Sequence, residues 1–76
     1  MEQLLQEIWK NILELEQMPG VDESFFDLGG NSFSAAQVIA ELEERTGSTA
    51  EVADFYENET IAAFVTLLQE KKEGAL

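Results

Sequence analysis

Apolar residues recur every three or four positions in three long segments of the chain, and this spacing predicts three amphipathic α-helices. Residues that stop helices, namely Pro19, Gly20 and Gly47, stand between these segments. No stretch alternates apolar and polar residues for long enough to predict a β-strand. The predicted helices extend from Met1 to about Glu16, from Ser32 to Thr46, and from an N-cap at Thr60 to near Gly74.

One more helix, short and third in chain order, is expected over residues 50–56, with Ser48 or Thr49 as its cap. The connection over residues 17–31 is long for a compact domain, so its apolar side chains are expected to pin it across the bundle. These elements predict an all-α fold, a small four-helix bundle with three longer helices and a short third helix around one apolar centre. Residues 1–76 are expected to form a single domain.

Aromatic side chains are predicted to fill the centre of this bundle, because they bury the most area in a small domain. Trp9 belongs to the same group, but its indole N–H needs a hydrogen-bond partner or access to the surface. Lys71 and Lys72 are placed to interact with the negative end of the last helix dipole. The side chains expected in the core also include Phe25, Phe26, Val52, Phe55, Tyr56 and Phe64.

The chain carries 16 acidic and four basic residues, which gives a formal net charge of −12 at pH 7. This charge would repel nucleic acid and anionic lipid, so neither is expected as a partner, and a basic protein surface is the natural complement. Glu41, Glu44 and Asp54 are candidates for steering such a surface. No stretch is long and apolar enough to span a membrane, and a cytoplasmic location is expected.

A hydroxyl stands just past two glycines at the start of the second predicted helix: Ser32, in the run FFDLGGNSF at residues 25–33. Glycines let the backbone turn with positive φ and leave room for a partner, and a helix N-terminus favours phosphate. The chain has no histidine to take the Ser32 proton and no cysteine, so chemistry there needs help from outside. The pattern is typical of a modification site. From these residues alone, however, a plain helix cap by Asn31 or Ser32 is the favoured interpretation.

The spacing of the residues around the two glycines matches neither a calcium-binding loop nor a phosphate-binding loop. A calcium loop starting at Asp22 would place Phe26 and Phe33 where oxygen ligands are needed. A phosphate-cradling P-loop needs a lysine after its last glycine, and here Asn31 and Ser32 follow. No metal site is therefore expected. No catalytic residue is expected either, because carboxylate pairs such as Glu41 and Glu44 would lie on a convex helix surface that neither buries them nor holds a substrate between them.

The run at residues 25–33 closely resembles the phosphopantetheine attachment motif of carrier proteins, specifically the peptidyl carrier (thiolation) domains of nonribosomal peptide synthetases. A second motif, ADFYEN followed by TIAAF at residues 53–58 and 60–64, is similar to the same family, and the likeness covers about residues 4–70. It makes attachment at Ser32 the favoured interpretation over a mere cap. The residues supporting the motif are Asp27, Leu28, Gly29, Gly30 and Asn31; the departures are Asn31, Phe33 and Glu59, where the family commonly has His or Asp, Leu or Ile, and Pro.

The resemblance implies that a magnesium-dependent phosphopantetheinyl transferase moves 4′-phosphopantetheine from coenzyme A onto Ser32. The arm would then hold an aminoacyl or peptidyl group as a thioester and carry it between adenylation, condensation and thioesterase-type domains. The protein would be a monomer and a tethered substrate rather than an enzyme. Phe33, Gln37 and Val52 are the candidates for contact with partners, with an inward-packed Phe33 as the alternative.

Three other functions stay open at this point. An acyl or aryl carrier of fatty-acid, polyketide or siderophore-type biosynthesis is distinguished only weakly, through Gly30 and Asn31. The Gly-Gly pair before Asn31 favours the peptidyl branch, because fatty-acid and polyketide carriers typically have Asp directly before the serine. A helical adaptor would bind a partner and never be modified. A hydrolase using Ser32 is disfavoured, because the chain has no histidine.

Overall fold

The structure, a computed structural model, describes the backbone of residues 1–74 and the side chains of residues 1–71. Helices account for all of its regular secondary structure, and no strand occurs among the described residues. Three longer helices and a short third one confirm the predicted all-α bundle. Their bounds are Glu2–Ile12 for α1, Ser32–Thr46 for α2, Val52–Glu57 for α3 and Ile61–Gly74 for α4.

Helix α1 ends four residues earlier than predicted, at Ile12 rather than Glu16. Glu14 adopts a left-handed conformation with φ of 54°, and the Leu15 N–H reaches back to the Lys10 carbonyl at 2.9 Å. This is the hydrogen-bonding pattern that closes many helices, normally with glycine in the left-handed position. The prediction from apolar spacing was too long because Leu13, beyond the end of the helix, continues the pattern and packs against the core.

Helix α2 confirms its predicted bounds, and Gly47 follows it with φ of 77°, a conformation that glycine adopts freely. Helix α4 begins as expected, because the Thr60 hydroxyl accepts a hydrogen bond from the Ala63 N–H at 3.2 Å. Lys71 does not stay at the helix end but reaches sideways to Asp54 of α3, with 2.8 Å between Nζ and Oδ2. The side chain of Lys72 lies outside the described residues.

Helix α3 differs from its prediction at the start and at one aromatic residue. It is preceded by Glu51 as N-cap, and neither Ser48 nor Thr49 caps it. The Glu51 N–H donates to Asp54 Oδ2 at 2.8 Å, so Asp54 supplies the cap from within the first turn. Phe55 is fully buried as predicted, but Tyr56 is 55% exposed, so its expected burial was wrong.

The core draws side chains from all four helices and from the long connection before α2. Phe25, in that connection, is fully buried, and its N–H donates to the Glu59 carbonyl at 2.7 Å. A second backbone bond, from the Ala62 N–H to the Val21 carbonyl at 3.0 Å, joins the same two segments. The connection is therefore pinned across the bundle, as its apolar residues predicted. Fully buried members of the core include Leu5, Trp9, Phe25, Ala35, Val38, Leu42, Phe55, Ile61 and Phe64.

Trp9 satisfies neither of the two conditions expected for its indole N–H. The side chain is fully buried, and Nε1 has no hydrogen-bond partner among the described residues. A buried unpaired N–H costs about 1–3 kcal/mol. The aromatic packing around the ring offsets this cost, since the ring lies edge-on to Phe25 with 4.8 Å between centroids and lies 6.2 Å from Phe55.

Candidate functional site

Asn31 and Ser34 cap the N-terminus of α2, and the Ser32 hydroxyl takes no part in this cap. Asn31 is the N-cap, and its Oδ1 accepts a hydrogen bond from the Ser34 N–H at 3.0 Å. In return, the Asn31 N–H donates to the Ser34 hydroxyl at 2.8 Å. This reciprocal pair satisfies the helix end. Capping by Asn31 is thus confirmed, capping by Ser32 was wrong, and Ser32 stands as the first residue of the helix.

The two glycines before Asn31 serve different purposes. Gly29 has a φ of 98°, and a Cβ there would meet no atom within 4 Å, so glycine is needed for the backbone conformation alone. At Gly30 a Cβ would lie 2.7 Å from the Phe25 carbonyl oxygen and closer still to the Phe25 ring. The space expected for a partner beside Gly30 is therefore filled by Phe25, and this glycine lets the loop close onto the core.

Ser32 lies exposed on the surface, and its hydroxyl contacts a residue that the sequence had placed in the core. The Ser32 Oγ and the Tyr56 phenol oxygen are 2.5 Å apart. Tyr56 in turn stacks on Phe26, with 4.9 Å between ring centroids and an interplanar angle of 18°. The burial of Phe55 gave no signal of this contact, because adjacent helical residues can both be buried in one core, as Ile8 and Trp9 of α1 are.

The remaining residues of the motif support the loop that leads to Ser32. Asp27 is exposed, and Leu28 is half-buried against the core. Phe26, predicted to lie in the core, is also only half-buried, and its outer side is covered by Tyr56. The Gly30 N–H donates to the Phe25 carbonyl at 2.9 Å, which folds the motif back on itself immediately before the N-cap.

The surroundings of Ser32 suit an attached phosphate despite the high negative charge of the chain. Residues 32–35, which form the first turn of α2, include no acidic side chain. The N-terminus of a helix carries partial positive charge and favours anions. An exposed hydroxyl in this position has both the access and the electrostatic setting that a covalent phosphodiester needs.

The three side chains expected to contact partners are placed differently from one another. Phe33 is 73% exposed, so the alternative in which it packs inward is wrong. Gln37 is exposed one turn further along the same face of α2. Val52, at the start of α3, is half-buried and packs against the core, so only part of it is accessible.

Comparison with known proteins assigns the family. The sequence model of the phosphopantetheine attachment site family matches residues 3–68, and the chain belongs to this family. The chain is 38% identical to the probable non-canonical nonribosomal peptide synthetase CymA of Salinispora arenicola over 74 residues, 97% of this chain and 1% of the synthetase. It is 40% identical to nonribosomal peptide synthetase 9 of Aspergillus fumigatus over 76 residues, 99% of this chain and 7% of that protein.

A solved structure agrees with this assignment. BlmI, a type-II acyl carrier protein from Streptomyces verticillus involved in bleomycin biosynthesis, superposes with a TM-score of 0.82 at 26% identity, covering 92% of this chain and 83% of that one. The protein is a carrier domain homologous to the thiolation domains of nonribosomal peptide synthetases, and its family is defined by covalently attached 4′-phosphopantetheine. The family is not itself catalytic. The chain spans between 1% and 7% of the length of such curated relatives.

Proposed function

We propose that Ser32 carries the 4′-phosphopantetheine and that the chain holds aminoacyl or peptidyl groups on it as thioesters for nonribosomal peptide synthesis. The observation that supports this most directly is the exposed Ser32 hydroxyl on the first residue of α2, with the capping task taken by Asn31. If the Ser32 hydroxyl capped the helix, its modification would leave a backbone N–H at the helix end without its acceptor. Asn31 caps the helix instead, so modification of Ser32 leaves the cap intact.

The proposed modification balances without a catalytic group from this chain. The Ser32 oxygen forms a bond to the phosphorus that bears the pantetheine in coenzyme A. The bond from that phosphorus to the bridging oxygen breaks, and the adenosine bisphosphate leaves. A base on the transferase takes the Ser32 proton, because this chain has no histidine to do so, and the transferase's magnesium offsets the developing charge. The chain acts here as substrate.

The partners in this proposal are the transferase in the cytoplasm, followed by adenylation, condensation and thioesterase-type domains that act on the tethered group. Residues 1–76 work as one monomeric carrier domain, supported by a core that all four helices share. Phe33 and Gln37 offer an exposed contact surface beside Ser32, and Val52 contributes its accessible part. The chain itself catalyses no step.

Intact mass after incubation with coenzyme A, magnesium and a broad-specificity phosphopantetheinyl transferase tests the attachment. We expect the wild type to gain one phosphopantetheine and Ser32→Ala to gain none. Ser48→Ala is the matched control, since it removes a serine hydroxyl from the loop after α2, and it should be modified like the wild type. No gain on a folded wild type would contradict the proposal and favour an unmodified adaptor.

An acyl or aryl carrier is the second candidate, favoured by the likeness to the acyl carrier protein BlmI. The two functions differ in the acid that is loaded. Holo protein is offered to adenylation domains that activate amino acids and, in parallel, to ligases that activate fatty or aromatic acids. Thioester formation detected by mass with amino acids alone would support the peptidyl carrier, and loading with the other acids alone would contradict it.

A further inference from the structure

The contact between Ser32 and Tyr56 joins two helices at the one hydroxyl proposed for modification. The two residues are 24 positions apart in the chain, and their oxygens lie 2.5 Å apart, with either able to donate. Ser32 opens α2 and Tyr56 belongs to α3, so the bond depends on how these helices pack.

Tyr56 is held in this position by a series of aromatic contacts that leads into the core. Its ring stacks on Phe26, which meets Phe25 edge-on with 5.6 Å between ring centroids. Phe25 is fully buried and packs on Phe55 at 4.8 Å. A tyrosine that is 55% exposed would otherwise sample several rotamers, so this support aims the phenol oxygen at Ser32.

Modification of Ser32 changes what the Tyr56 hydroxyl can bond to. Once phosphorus replaces the Ser32 proton, Oγ is an ester oxygen that no longer donates. The phenol O–H is then the donor of the pair. The charged non-bridging oxygens of the phosphodiester are stronger acceptors than the ester oxygen, since hydrogen bonds to ionised groups are shorter and stronger.

We propose that the Tyr56 hydroxyl binds the phosphodiester on modified Ser32 by donating a hydrogen bond to one of its non-bridging oxygens. This inference rests on the proposed attachment at Ser32. It makes Tyr56 a positioning residue that fixes the base of the phosphopantetheine arm against α3. The direction in which the arm leaves the domain then depends on α3 as well as on α2.

Phosphorus NMR of the holo protein tests this proposal, because each modified chain carries one phosphodiester. Tyr56→Phe keeps the ring on Phe26 and removes only the hydroxyl, and we expect it to shift the ³¹P resonance relative to holo wild type. Thr66→Val is the control, since it removes an exposed hydroxyl from α4 whose bond goes to the Ala62 carbonyl. That variant should leave the ³¹P resonance unchanged.

A second measurement uses the wild type alone, because Tyr56 is the sole tyrosine of the chain. The ring carbon that bears its hydroxyl gives one ¹³C signal, which should shift when apo protein becomes holo. An unchanged ¹³C signal overturns the proposal even where Tyr56→Phe fails to fold.

The outcomes separate this proposal from the one on which it rests. Intact mass first establishes that the wild type and Tyr56→Phe each carry one phosphopantetheine, and the absence of any gain in Ser32→Ala places it on Ser32. Identical ³¹P resonances in these two holo proteins would then overturn the role of Tyr56 and leave the carrier function standing. A wild type that gains no phosphopantetheine would instead overturn the attachment, and the role of Tyr56 with it.

Discussion

At the scale of single residues, the loop at residues 25–31 that precedes Ser32 depends on a few residues whose size or hydrogen bonds fix its shape. Asn31 supplies the cap that Ser32 does not, and Ser34 completes it. Gly30 lets the loop close on Phe25. These residues fix the backbone that leads to Ser32 and do not contact its hydroxyl. The motif before the serine therefore serves mainly to fold this loop.

Gly30→Ala should destabilise the domain by about 1–3 kcal/mol, because the added Cβ overpacks against the ring and backbone of Phe25. Urea unfolding followed by circular dichroism measures the change. Gly20→Ala is the matched control, since its Cβ would make an ordinary contact of 3.4 Å with the flexible Glu23 side chain. Equal stability losses in the two variants would contradict the packing role of Gly30.

At the scale of elements, the short α3 is held by contacts made outside itself. A helix of six residues is too short to be stable alone in water. Asp54 joins its first turn to Lys71 of α4, while Phe55 anchors it in the core. Burial alone would raise the pKa of Asp54, but hydrogen bonds from Lys71 and the Glu51 N–H outweigh burial and lower it below the usual value.

Lys71→Met should destabilise the domain by about 0.5 kcal/mol at neutral pH, because it breaks an ion pair in which the lysine side chain is 42% exposed and the aspartate side chain 15% exposed. A lowered pKa in the folded state contributes stability that is present above the unfolded value of 3.8 and lost as the pH falls through the folded value. The difference from wild type should therefore shrink below about pH 3.8. Urea unfolding at several pH values checks this.

Arg45→Met provides the control for Lys71→Met, since it removes the same charge from an ion pair within α2. Amide hydrogen exchange should quicken in α3 for Lys71→Met and stay unchanged there for Arg45→Met. Equal exchange rates in α3 for all three proteins would show that the Asp54–Lys71 pair does not hold the helix.

At the scale of the whole molecule, the net charge of −12 governs how the domain meets basic partners. Two of the three carboxylates expected to steer partners are already engaged within the molecule. Glu41 pairs with Arg45, and Asp54 pairs with Lys71, each at 2.8 Å. Glu44 is exposed and is the clearest remaining candidate of the three.

A transferase with a basic surface should modify the domain more slowly as the salt concentration rises. Salt screens the attraction between the two proteins, because the Debye length falls from about 10 Å at 0.1 M to about 3 Å at 1 M. Glu44→Gln should slow modification at low salt more than at high salt. Initial rates from intact mass at several salt concentrations measure both effects, with sucrose of equal viscosity as the control. A rate indifferent to ionic strength would rule out steering.

Local chemistry made much of this protein predictable from its sequence. The three- and four-residue apolar spacing placed α2 and α4, and Thr60 and Gly47 marked ends that the structure confirms. Such signals act within one or two helical turns, so no tertiary contact is needed to interpret them. The attachment motif is equally local, and it identified the family to which the chain belongs.

Contacts between distant residues were decided by the packing of the helices. The bond from Ser32 to Tyr56 and the pairing of Asp54 with Lys71 each depend on chain paths that no local pattern encodes. The early end of α1 was missed because Leu13 continues the apolar spacing and reaches the core from outside the helix. Apolar spacing shows which side chains seek burial; only the assembled bundle determines which of them meet and which polar groups lie beside them.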